Sequence, residues 1–92
     1  MGLDLNKRGR DKLRKMAYSV GLDIESNAKR RAPVDTGRLM NSVTAEDRST
    51  HRRIRIVVGS DVDYALYVEK GTKDREGQPF LVPAAKEEIR KL

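Results

Sequence analysis

Apolar residues recur along the first third of the chain at Leu13, Met16, Ala17, Val20, Ile24 and Ala28. On a helix these positions fall within an arc of about 120°, the mark of an amphipathic helix with one buried stripe. The pattern predicts a long helix from about Leu5 or Lys7 to Ala32. Pro33 ends it, because the residue before a proline is pushed out of the α region. Gly9 and Gly21 lie inside it, and each weakens it by roughly 1 kcal/mol relative to Ala. Tyr18 and Leu22 sit opposite the stripe, amid Asp11, Lys15, Glu25 and Lys29. They read either as apolar residues scattered on a solvated face or as a contact surface for a partner.

Past Pro33, Asp35 or Thr36 is a good N-cap for a short helix through about Ser42. A strand near Val43–Asp47, a polar turn over Arg48–Arg52, and the alternation of Ile54, Ile56 and Val58 predict an antiparallel hairpin. Asp63–Gly71 fits two templates. Val62, Tyr64, Leu66 and Val68 alternate as a strand would, while Tyr64, Ala65 and Val68 fit one face of a helix stopped by Gly71. Thr72–Gln78 reads as a charged loop and Pro79–Pro83 as an extended segment, with Phe80–Val82 able to form an edge strand. Pro83 then starts a last helix whose buried edge is Leu81, Ala85, Ile89 and Leu92. The fold class expected is α+β: a long N-terminal helix packed on a small, mainly antiparallel sheet, with a short helix and a C-terminal helix.

At 92 residues the chain is one small domain, 1–92, of ordinary globular composition with 37% hydrophobic residues. The absence of Cys removes disulfides and thiolate metal sites, and a single His removes a histidine cluster. No apolar run is long enough to span a membrane, and the first residues lack the order of a signal peptide, so a cytosolic product is expected. The net charge of +6 is uneven: residues 1–32 carry +5, 33–60 carry +2 and 61–92 carry −1. A basic front half suits nucleic acid or an acidic protein surface.

Catalytic chemistry finds little support. His51, beside Arg52 and Arg53 in a turn, has no orienting carboxylate or nucleophile at recognisable spacing. Glu46–Asp47, Asp61/Asp63 and Glu87–Glu88 are explained by solvated faces and helix caps. Asp35-Thr36-Gly37 lacks the glycines and the Lys-Ser/Thr of a phosphate loop. No enzyme is expected, and no cofactor or metal. Nucleic-acid binding is the alternative function: Arg52, Arg53 and Arg55, with Lys7, Arg8, Lys12, Lys15, Lys29 and Arg30, can track phosphates. The aromatic residues do not interleave with them, however, as a stacking platform requires.

Three blocks in order carry a resemblance: Ala28–Leu39 around Ala-Pro-Val-Asp-Thr-Gly, Val58–Ser60 leading into Asp63–Thr72, and Gln78–Ala84. Together they resemble the small tail-component proteins of long-tailed bacteriophages and prophages, variously called neck, head–tail joining or tail-completion proteins. The residues matching that family's marks are Pro33, Asp35, Thr36, Gly37, Tyr64, Tyr67, Glu69, Gly71, Pro79, Phe80 and Pro83; Leu66 and Lys70 depart from its pattern. These positions read as fold-maintaining, with Gly37 allowing close approach of backbones.

The resemblance implies a structural protein of the virion, present in the host cytoplasm during assembly. It implies a ring of six copies at the head–tail junction or tail terminus, touching connector, neck and tail-tube proteins and passing DNA. No membrane or small-molecule substrate belongs to that role. The expected ring surfaces are Tyr18 and Leu22 on one side and Thr72, Lys73, Asp74, Arg75, Glu76 and Gln78 on the other. Arg52, Arg53 and Arg55 would face the DNA channel or an acidic neighbour.

Overall fold

Helix α1 (Asn6–Arg31) is the longest element, about 39 Å end to end. The computed structural model of the chain describes residues 6–33, 37–62, 64–73 and 75–92. Strands β1 (Thr44–Asp47) and β2 (Ile56–Gly59) pair antiparallel, with Ala45 opposite Val58 and Asp47 opposite Ile56. Beyond the strands the ladder continues: the Arg48 N–H donates to the Arg55 carbonyl at 2.8 Å, and Thr50 and Arg53 bond both ways around His51–Arg52.

This hairpin is too small to stand alone. It lies on α1 at Gly21, where an added Cβ would sit 2.6 Å from Ile56 Cγ2, 3.6 Å from Ala45 Cβ and 3.7 Å from Val58 Cγ2. The glycine that weakens the helix locally is therefore the one that lets both strands approach it. Two side chains of α1 fix the hairpin's position. Glu25 Oε1 accepts the Ala45 N–H at 2.7 Å, and Arg14 pairs with Asp47 at 3.4 Å.

Around the other end of α1 gather α2 (Arg38–Ser42), α3 (Ala65–Lys70), a minimal hairpin of β3 (Gly71–Thr72) and β4 (Arg75–Glu76), and α4 (Leu81–Arg90). The core joins Ile24 and Ala28 of α1, and Ala32 just past its end, to Leu39, Val43, Val62, Phe80 and Ala84. Ala28 and Ala84 are wholly buried, and such small side chains let α1 and α4 approach closely. Polar bonds lock the same seam. Asn27 Nδ2 donates to Glu88 Oε2 at 2.8 Å, Arg31 Nε donates to Asn27 Oδ1 at 2.7 Å, and the Arg31 guanidinium also pairs with Glu87.

The α+β architecture is the one expected, and the segment with two templates is helical at Ala65–Lys70. Several expectations are corrected. Leu13 and Met16 are not core residues: each is 57% exposed, because α4 meets α1 near Asn27 and Arg31 and does not cover it there. Phe80–Val82 is no edge strand, since α4 begins at Leu81 and Pro83 is its third residue. Ile89 and Leu92 are exposed, and the buried edge of α4 is Ala84 and Glu88, flanked by half-buried Leu81 and Ala85. The charged loop contains the β3–β4 pair. The N-cap of α2 is Gly37; Asp35 and Thr36 lie outside the described residues. Gly37 has open space where a Cβ would stand, so its φ of +64°, not a close approach, is what glycine serves there.

The two helical glycines should respond oppositely to substitution. Gly9 has nothing within 4 Å of a built Cβ, so Gly9→Ala should raise stability by about 0.5–1 kcal/mol. Gly21→Val should lower it by about 1–3 kcal/mol through overpacking against Ile56. Urea denaturation midpoints of the two variants check this.

Candidate functional site

The residues of the second and third sequence blocks converge on one joint, where α3 turns back toward α4. The first N–H groups of any helix have no partner within it. The N-cap of α4 is Phe80, whose side chain has nothing to offer them. Glu69 on α3 supplies the acceptor instead. Its Oε1 accepts the N–H groups of Phe80 at 3.0 Å and Leu81 at 2.9 Å, and its Oε2 accepts that of Val82 at 3.1 Å. A carboxylate at the positive end of the helix dipole is favourable as well.

The chain between them is tightly folded. Gly71, at φ +85°, ends α3, and the Gln78 N–H donates to the Val68 carbonyl at 2.7 Å. A Cβ on Gly77 would lie 2.6 Å from the Lys70 carbonyl carbon and 2.7 Å from Gly71 N, so only glycine fits. Phe80, 2% exposed, pins the joint to the core. The sequence reading missed Gly77. The signal present was a lone glycine closing a short charged stretch, which by itself marks only a turn.

Other residues that carry the sequence resemblance are placed less centrally. The Arg38 guanidinium stands 5.5 Å from the Tyr64 ring centroid, a cation–π distance. Tyr67 is exposed, Pro79 is exposed, and Pro33 and Pro83 are half-buried.

The two expected interface surfaces differ in exposure. Leu22 is exposed, but Tyr18 is half-buried beside it. Lys73, Glu76 and Gln78 are exposed; Thr72 and Arg75 pair as a rung of the small hairpin, and Asp74 lies outside the described residues. Arg52, Arg53 and Arg55 are all exposed around the tip of the β1–β2 hairpin, with His51 exposed in its turn.

The carboxylates are mostly engaged in holding the fold. The Asp47 carboxyl is held below the usual range by bonds from Ser49, with Arg14 adding to the effect. Glu88 is lowered chiefly by its bond from Asn27, then by Lys91. Among the described residues no three of His, Cys, Asp and Glu converge as a metal site would require. On the concave face between α2 and the hairpin, lined by Asn41, Ser42, Thr44, Glu46, Ser60 and Asp61, the two serine hydroxyls bond to each other, Ser42 donates to the Leu39 carbonyl and Ser60 accepts from the Val62 N–H. No helix among the described residues is long and apolar enough to cross a membrane.

The residues of the second and third blocks thus hold structural positions in a small α+β unit. The family comparison agrees: residues 3–71 match the HK97-gp10-like family, described as "Bacteriophage HK97-gp10, putative tail-component". The chain belongs to this family of phage tail components, and its role is that of a tail structural protein of the virion. The match takes in the first sequence block and the second as far as Gly71, and ends before Gln78–Ala84. No curated protein and no solved structure matches the chain.

Two predictions test this joint and the α1–α4 seam. Glu69→Ala should cost about 1–2 kcal/mol, the usual range for a lost cap, and should speed amide exchange in the first turn of α4. Glu88 has a lowered folded-state pKa, so its contribution is present above the ordinary glutamate value and is lost as pH falls through the folded one. Thermal midpoints should therefore fall on acidification below about pH 4.5, and Glu88→Gln should fall less steeply over the same window.

Proposed function

We propose that the chain acts as a ring-forming component of the head–tail junction or tail terminus, with six copies closing around the path of the DNA. The observation that carries this is the family match over residues 3–71, which makes the chain a tail component. A closed ring needs two different patches, one meeting the other on the next copy. Leu22 with Tyr18 on α1 is one, and Lys73, Glu76 and Gln78 around the β3–β4 hairpin are the other. Neighbouring connector, neck and tail-tube proteins complete the partners. The protein is no enzyme in this reading and works without cofactor, metal, membrane or small-molecule substrate. During assembly it resides in the host cytoplasm.

The arginine-bearing hairpin tip supports a subsidiary reading. Arg52, Arg53 and Arg55 are exposed on it, and no carboxylate pairs with them among the described residues. They would meet DNA in transit or an acidic neighbour. A small basic nucleic-acid-binding domain is the alternative main function. Lys and Arg without base-reading elements give only weak, salt-sensitive contacts, which favours the structural role.

Leu22→Ser should leave the denaturation midpoint of the free protein within about 0.5 kcal/mol of the parent, as exposed substitutions do. In cells making the particles it should leave few complete tails, counted by negative-stain microscopy. Full tails with the variant, or with the gene deleted, would defeat the ring assignment. Averaged images of the purified junction give the copy number.

A further inference from the structure

The N-terminal part of α1 is an arm that, among the described residues, is tied to the fold by Arg14 alone. Residues 6–17 hold six Lys or Arg against one Asp. Leu13, Met16, Val20, Ile24, Asn27 and Arg31 are spaced by threes and fours and so share one line along the helix. At Asn27 and Arg31 that line meets α4. At Leu13 and Met16 no described residue covers it, and both are 57% exposed. Arg14 reaches Asp47, but Arg8, Arg10, Lys12 and Lys15 have no carboxylate partner among the described residues.

We propose that this arm docks, helix in groove, on a different protein of the particle, in an apolar groove rimmed by carboxylates. The inference goes beyond the ring and holds whether or not the copies close into one. Charge decides the occupant. A second copy would bring an equally basic arm, and most of its described carboxylates are already committed. Glu25 holds Ala45, Glu46 holds Arg48, Asp47 holds Arg14, Glu69 caps α4, and Glu87 and Glu88 bind α1. DNA phosphates would match the cations but leave Leu13 and Met16 in water. An anionic bilayer would find two large apolar side chains and no aromatic residue on the arm, too small a face to insert. A groove with an apolar floor and acidic walls satisfies both halves of the arm at once.

The test uses the full chain and a fluorescent synthetic helical peptide with leucines at 3- and 4-residue spacing and glutamates on both flanks. Anisotropy at physiological salt should show binding that a scrambled peptide lacks. Leu13→Ser with Met16→Ser, and separately Arg8→Glu with Lys12→Glu, should each weaken it by about tenfold or more. All four positions are exposed, and matching circular dichroism spectra confirm that both variants fold. Four results would overturn the proposal. They are no binding, binding indifferent to Leu13 and Met16, tighter capture of mixed-sequence duplex DNA or phosphatidylserine vesicles, and self-association abolished by the Leu13/Met16 pair. Absence of a ring in the particle would not affect it, so the two readings fail separately.

Discussion

The seam between α1 and α4 joins a helix of 26 residues to one of ten, about 39 Å against about 15 Å. The rest of the structure follows from that mismatch. Ala28 and Ala84 let the two axes come close, and Asn27, Glu88, Arg31 and Glu87 fix their register with charge-assisted bonds. Leu39, Val43, Val62 and Phe80 fill in around that contact, so the core gathers toward one end of α1. Among the described residues the other end receives only the hairpin, on one side. The radius of gyration, 15.8 Å against about 12 Å for a compact chain of this length, records the extension.

Glu69 has a similar reach. It is on α3, yet its carboxylate determines where α4 begins, because it satisfies three successive N–H groups that the helix itself cannot. A helix start borrowed from elsewhere in the chain is rigid only if the intervening segment is rigid. The β3–β4 rung, the Gly77 contact and the Gln78–Val68 bond provide that. Glu69, Gly71 and Phe80 thus form a single mechanical joint, and their residue types are dictated by hydrogen bonding and close approach.

Much of this was legible from periodicity. The long helix, its stop near Pro33, the hairpin, the short helix before it and the last helix all follow from spacing and from proline and glycine positions. What stayed hidden depends on partners distant in sequence. Periodicity marks Leu13 and Met16 as apolar-faced but is silent on whether anything covers the face. Phe80 to Pro83 looks extended because a proline begins helices well, and only the remote Glu69 moves the start to Leu81. Gly21 reads as a defect until Ile56 is seen above it. Glu88 reads as a surface charge until Asn27 meets it. The surfaces that would serve assembly were less legible still, since exposure belongs to the folded molecule and not to a residue type.

The Asn27–Glu88 bond spans 61 positions of sequence. Chain synthesis is slow beside helix formation, so α1 is complete long before its principal partner leaves the ribosome. Through that interval Ile24, Ala28 and Ala32 face solvent or the exit surface, with only the hairpin and α2 available to shelter them. The hairpin contact at Gly21 can form early and the helical seam only last. Assembly-competent protein therefore appears as a step once α4 has emerged, and a chain stalled before α4 leaves that apolar line uncovered on a basic helix.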